Sequence, residues 1–529
     1  MIAPLSGFID VNAKRLIRWD PPALNLVHHS NPHMKESIKC CNPSAASSRV
    51  PAAFPVSRIQ SNTTQHNTTQ HNRTNKNMKI TPYLAGFAAF AFAATSYADV
   101  TVNVTGATAF RGATLASIKA KYVASGAAFK FAHDQDATKL TGATRAIFIG
   151  TFPGVTGTTT IRCCFTGSVE GIRALIPTVT DPLPPTYYQP SLLSGTTAVV
   201  GGAELASQGT TGAAALGGIS DIAFSDVSSS SSPYAASSLQ PSDPAAGVIV
   251  FTMITNKNST ITNVTAQQFR ALLTKGFQPL SLFSGDQTQD PDGSRSGVTP
   301  NPATAAYVFA TGRNDGSGTR TTYLAETGFG VANTVNQYVT NVSTDTTLTT
   351  IQRVPAGGVN SPVLAGQSAS NASTVWGQDI DGNGGYSSGA TLRGDMAKSG
   401  ESVTVLDETG ADAFGSLQRA YLVTWLSLSD AATARSNGAI FCGYNGVKLN
   451  DIAAAGTAMS DADKAKVVGG VYSAWGYERM YLRNDVTSGD KLTVYTGVKG
   501  AIPSNLGTAG LALTDMKVSR STDGGTVAP

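Results

Sequence analysis

A short apolar strand, a glycine-rich turn and the start of a helix follow one another in AYVFATGRNDGSGTRTTYL, residues 306–324. That order limits the chain more than anything else in it, because a strand delivering a helix through a tight turn is the unit of an α/β sheet. The turn spans Gly312, Gly316, Ser317 and Gly318, and a helix can start at Thr319. Backbone amides at such a turn lack intrahelical partners and point outward, and the helix dipole adds positive partial charge. An anion can sit there. Arg313 is near enough in sequence to add a forked pair of donors, and Ser317 and Thr319 bring hydroxyls.

The same alternation runs through most of the chain. Val100, Val102 and Val104 alternate with polar residues, the pattern of a half-buried strand. TGATAFRGATLASIKAKY then turns at Gly106 into a helix with Leu115, Ile118 and Tyr122 on one face. RAIFIGTF and TTTIRCCF read as strands, and Gly167-Ser168 opens the short helix VEGIRALI, halted by Pro177. Residues 178–217 look like an inserted loop or flap. ISDIAFSDV reads as a buried strand ending in Ser225 and Asp226, and GVIVFTMIT as another apolar strand. Thr265 and Gln268 form a capping box for the helix AQQFRALLTKG, which Gly276 ends. VYSAWGYERMYLR alternates like a strand, and the tail after Thr514 reads as loose. The expected class is therefore α/β.

The amino-terminal tract has a different character. Residues 1–77 include NTTQHNTTQHNRTN, polar and without hydrophobic period, and read as disordered or as a mis-called extension. Met78 to Ala98, MKITPYLAGFAAFAFAATSYA, has a basic start, an apolar stretch and small residues at its end. That is the pattern of a secretory signal, too short to span a membrane. Met78 is then the expected start, cleavage falls near Ala98, and the mature protein is expected to be soluble in the periplasm. The alternative is a disordered extension before an internal anchor.

Charge and residue usage exclude several classes. The whole chain carries a formal charge of +4, but residues 1–98 hold 10 basic and 3 acidic residues, leaving 28 basic and 31 acidic in the body. Such a body lacks the basic face that nucleic acid needs. Five of the six histidines precede residue 99, so a multi-histidine metal site is excluded. His133, the remaining one, reads as a surface residue. WGQDIDGNGGYSSGATL resembles a calcium loop at Asp379, Asp381 and Asn383, but Ala390 stands where a bidentate acid belongs. Cys163, Cys164 and Cys442 allow either one disulfide with Cys442 or three buried thiols. No nucleophile with an activating base is evident, so binding without turnover is expected. A phosphatase, needing a metal cluster or an activated nucleophile, is the enzyme alternative.

Four turns recur as strand ends: Thr108-Ala109-Phe110, Gly167-Ser168, Ser225-Asp226 and Arg313 to Thr319. Ligands of open α/β sheets collect beyond the carboxyl ends of strands, and together these turns favour an oxyanion. The spaced set TGATAFR, FTGSVEGI, SDIAFSD and RNDGSGT resembles the periplasmic phosphate-binding proteins of ABC importers, in the type 2 periplasmic-binding-protein superfamily. The match runs in order from about residue 100 to about residue 500 and is specific only at these motifs.

The resemblance implies two α/β lobes with a ligand cleft between them, residues 99–250 plus 471–529 and residues 251–470. It implies a phosphate held by Thr108, Ala109, Phe110, Ser168, Asp226, Arg313, Ser317, Gly318 and Thr319, with Asp315 pairing with Arg313 in support. It further implies a monomer, no cofactor or metal, inorganic phosphate as ligand and an ABC permease in the inner membrane as partner. Two departures stand out. Ala109 occupies a place where the family usually has threonine, and the stretch between Ser168 and Asp226 is longer than usual. Another oxyanion, phosphate sensing without import, and a secreted surface or adhesion role are the alternatives.

Overall fold

The protein is described from a computed structural model. It describes residues 99–529, except 137–138, 179–183, 202–214, 236–238, 242–243, 294–296, 341–346, 355–383, 450–458 and 508–509. The disordered tract, the signal segment and the calcium-like positions Asp379, Asp381 and Asn383 lie outside the described residues.

The fold is α/β, built on one mixed sheet. Its strands are β1 (Val100–Gly106), β2 (Lys130–His133), β3 (Arg145–Gly150), β4 (Thr159–Cys164), β5 (Ile222–Ser225) and β6 (Ala245–Thr255). They continue with β7 (Tyr307–Ala310), β8 (Tyr338–Thr340), β9 (Thr350–Arg353), β10 (Glu401–Leu406), β11 (Asp412–Ser427) and β12 (Trp475–Leu482). Across the sheet the order is β8-β9-β10-β11-β6-β12-β5-β1-β4-β3-β2, with β7 parallel to β11.

Two features of this topology position the turns. β1 runs parallel to both β4 and β5, so their carboxyl ends lie on one edge of the sheet. β6 changes partner midway, pairing with β12 over residues 245–250 and with β11 over residues 251–255. β6 also contributes to both of the large apolar clusters of the interior, through Ala246 to one and through residues 248–254 to the other. One apolar cluster takes in Val102, Leu115, Ile118, Phe148, Phe224 and Met480. The other takes in Phe251, Phe269, Phe309, Tyr323, Trp425 and Trp475.

β1 is not half-buried. It lies between two strands, and Asn103 and Thr105, which alternate with its valines, are buried too. The Asn103 side-chain amide donates to the Ile219 carbonyl at 2.7 Å, and the Thr105 hydroxyl donates to the Cys164 carbonyl at 2.7 Å. Hydrogen bonds to backbone let a polar face go inside.

The helices that matter here are α1 (Arg111–Ala124), α2 (Ser168–Ala174), α3 (Ala266–Lys275) and α4 (Gly318–Glu326). Further along come α5 (Gly389–Met396) and α6 (Leu428–Ser436). α1 buries Leu115, Ile118 and Tyr122 as its spacing requires. α3 has both halves of the capping box, and Gly276 ends it in the left-handed conformation.

Three expectations need correction or resolution. His133 is buried, not on the surface: it closes β2 opposite Ala146 and stacks on Phe131 at 6.2 Å. The three cysteines are free and buried, with Cys163 and Cys442 in different apolar clusters. The tail after Thr514 is docked. Arg520 pairs with Glu326 at 2.8 Å and lies over the Trp475 ring at 4.1 Å. Asp523 accepts from Arg479 at 3.0 Å and from the Ser228 amide at 2.6 Å. Met516, Val518 and Val527 of the tail also pack against the apolar core, and their scattered spacing in a small, polar stretch hides this docking from a sequence reading.

Candidate functional site

The four turns meet. β1 ends at Gly106, in the left-handed region, where a β-carbon would fall on the Phe224 carbonyl. Glycine therefore lets β1 and β5 close up at this edge. The Ala107 amide donates to Phe224 O at 2.7 Å, and the Gly167 amide to Gly106 O at 3.0 Å. The Val169 amide, in the first turn of α2, donates to Gly316 O at 3.2 Å. Backbone contacts thus tie the Ser168 and Asp226 turns to the Arg313 loop.

Side chains fill the junction. The Ser168 hydroxyl donates to Asp226 Oδ1, and both residues are buried. Gly318 opens α4 directly against them: a β-carbon there would fall on Asp226 Oδ1 and against Ser168 Oγ. Ser317 caps α4, its hydroxyl accepting from the Arg320 amide at 3.5 Å, so the helix begins at Gly318 rather than Thr319. Thr319 is buried in the first turn.

Arg313 is only 2% exposed. Its Nε donates to the Tyr386 carbonyl at 2.9 Å and its Nη2 to the Ser387 carbonyl at 2.8 Å. Its Nη1 reaches the Thr108 hydroxyl at 3.4 Å. Thr108 therefore supplies a hydroxyl to this junction one residue before Ala109, where the resemblance led one to look for it. Asp315 is half-buried in the turn before α4. The Arg313 guanidinium is fixed by the carbonyls of residues 386 and 387 and by the Thr108 hydroxyl.

Electrostatics link the two charged residues. Burial pushes the Asp226 carboxyl up to about 6, against the opposing pull of the Ser168 hydroxyl and the Arg313 charge. Burial also pushes Arg313 down to about 10, opposed by the charges of Asp430 and Asp226. Glu478, on β12, is fully buried and within electrostatic reach of Asp226. Burial first, and the Asp226 charge second, hold the Glu478 carboxyl well above the usual carboxylate range.

Thr108, Ala109 and Phe110 face a cleft of about 410 Å³. Its walls come from α1 on one side and from Arg393 of α5 and Asp430 of α6 on the other. Ser168, Asp226, Ser317, Gly318 and Thr319 pack together beside it without lining it. A larger cavity, about 890 Å³, lies by Tyr477, Arg479 and the docked tail and contains none of the expected site residues.

Sequence reasoning missed Arg111, Tyr386, Ser387, Arg393, Asp430 and Glu478. Arg111 is the last residue of the first motif, TGATAFR, and was legible there. Tyr386 and Ser387 sit in the stretch read for calcium, and only the fold carries them to Arg313. Among the described residues no helix is long and apolar enough to cross a membrane.

No protein-family model matches the sequence, and no curated protein matches it. Solved structures do align with it. One, from Clostridium perfringens, is assigned as a phosphate ABC transporter substrate-binding protein and holds phosphate. It is 11% identical with a TM-score of 0.33, over 78% of this chain and 100% of that one. An ABC-type phosphate transport receptor from Vibrio cholerae aligns at 11% identity and a TM-score of 0.32, over 77% and 96%. PstS from Borrelia burgdorferi aligns at 10% and 0.28, over 78% and 98%.

Proposed function

We propose that this chain is an extracytoplasmic receptor for phosphate that closes two lobes around the ion and offers the closed form to an ABC permease of the inner membrane. The lobes are residues 99–250 with 471–529 and residues 251–470, and the mature monomer begins after cleavage near Ala98. The site residues are Thr108, Ala109, Phe110, Ser168, Asp226, Arg313, Ser317, Gly318 and Thr319, with Asp315 supporting the loop. It binds without turnover.

The observation that carries this reading is a carboxyl group, Asp226, buried among anion donors. Ser168, the amino-terminus of α4 at Gly318 and Arg313 all serve an anion, yet Asp226 sits among them. A carboxylate repels an anion unless the guest brings a proton to share. Monohydrogen phosphate has that proton, and sulfate at neutral pH has none. The carboxylate therefore selects by penalising the wrong guest. Losing one charge-assisted hydrogen bond costs about 1.5–3 kcal/mol, or roughly ten- to a hundredfold in affinity.

Closure follows from where the donors come from. The Ser168 and Asp226 turns end strands on one half of the sheet, and Arg313 and α4 follow a strand on the other. An ion bridging them favours the closed arrangement by its differential contacts, and a permease can sense that population.

Calorimetric titration of residues 99–529 with phosphate, sulfate and arsenate tests the proposal. Phosphate and arsenate, which share shape and proton, are expected to bind, with sulfate at least about tenfold weaker. Asp226→Asn is expected to narrow the phosphate-to-sulfate gap by about tenfold or more. An unchanged gap removes Asp226 from the site.

A further inference from the structure

Arg111, the first residue of α1, lines the 410 Å³ cleft beside Thr108 and is half-buried. Among the described residues its guanidinium makes no hydrogen bond and no ion pair. Its charged neighbours are Asp430 and Asp134, which favour the cation, and Arg393, which opposes it, and it also acts on Arg313. Asp430 is already engaged: Arg393 Nη1 pairs with it at 2.7 Å and the Ser427 hydroxyl donates to it at 3.3 Å. Of the charged groups on this wall, Arg393 and Asp430 offset each other. Asp430 is taken up by Arg393, so Arg111 faces the cleft with no carboxylate directly paired to it.

Such an arrangement is costly without a guest. A guanidinium withdrawn from water without a hydrogen-bond partner is destabilised by burial, and a bound anion relieves that cost. The cleft also has room beyond a bare oxyanion, falling in the range of roughly 300–1,000 Å³ typical of small-molecule sites. Arginine suits such a place because its planar fork engages carboxylate or phosphate through paired hydrogen bonds.

We propose that Arg111 forms a second anion seat at the mouth of the site, and that the preferred ligand is a phosphoryl compound bearing a second anionic group. The phosphoryl end occupies the seat formed by Ser168, Asp226, Gly318 and Arg313, and the second negative charge meets Arg111 in the cleft. This rests on the reading of the inner seat given under Proposed function. A condensed phosphate and a carboxylated phosphate ester both have the required chemistry.

The test is a calorimetric titration of residues 99–529 with orthophosphate, pyrophosphate, 3-phosphoglycerate and glycerol 3-phosphate, whose remainder is uncharged. Pyrophosphate or 3-phosphoglycerate is expected to bind about tenfold tighter than both orthophosphate and glycerol 3-phosphate, and which of the two does so identifies the source. In Arg111→Gln, chosen to keep the side chain's length, that preference is expected to fall about tenfold, and Arg111→Lys is expected to restore part of it. Orthophosphate binding without any preference for the doubly charged ligands overturns the second seat and leaves the inner one standing. A preference that survives Arg111→Gln also overturns it. Failure of all four ligands to bind overturns the inner seat as well.

Discussion

Asp226 and Glu478 put two carboxyl groups within electrostatic reach of each other inside the molecule, and each is disfavoured as an anion by burial. The groups facing Asp226 are Ser168 of α2, Arg313 before α4, Glu478 of β12 and Asp523 of the tail. The pH consequence has a definite sign. A carboxyl whose folded pKa is about 6, above its unfolded value, binds protons better when folded. It stabilises the fold fully below its unfolded pKa, and that contribution disappears as pH rises through about 6. Without anions in the buffer, the melting temperature is therefore expected to fall between about pH 4 and pH 7. Asp226→Asn should remove part of that slope, on the order of 2–3 kcal/mol across the window. Melting curves at several pH values check it, and an identical slope in the variant would sink the assignment.

At the scale of elements, local chemistry set the helix ends. Thr265 Oγ1 accepts from the Gln268 amide at 3.2 Å, and Gln268 Oε1 accepts from the Thr265 amide at 2.8 Å. The apolar face of α3, Phe269, Leu272 and Leu273, is fully buried. Thr265→Ala is expected to lower unfolding free energy by about 1 kcal/mol, measured by urea denaturation, with anion affinity unchanged. No loss of stability would mean that packing alone holds α3 in place. Strands were less legible than helices. In β1 the alternation of valine with asparagine and threonine gave the strand but not its burial, since that depends on β4 and β5 lying on either side.

For the whole molecule, the docked tail is a structural component that residue order does not reveal. Arg520 binds Glu326 of α4 and the Ser473 carbonyl at 2.7 Å, and Asp523 holds the Ser228 amide just beyond Asp226. The tail therefore braces both α4 and the Asp226 turn. Arg520→Ala leaves Glu326 buried without its cation, and truncating one partner of a buried pair costs about 3–5 kcal/mol. Chemical denaturation should show a loss of that order, and a change under about 1 kcal/mol would return the tail to a peripheral role.

The sequence by itself determined what local interactions determine: the α/β class, the capped helices, the strand positions and the four turns. Hydrogen bonds between near neighbours and periodic burial decide these, so they are written in contiguous residues. Only the tertiary structure decided that Tyr386 and Ser387 hold Arg313, that Glu478 comes within electrostatic reach of Asp226, that His133 is buried, and that Arg111 faces a cleft with Arg393 and Asp430. Each depends on strands and loops far apart in the chain being brought together by the sheet, and no local pattern encodes that approach.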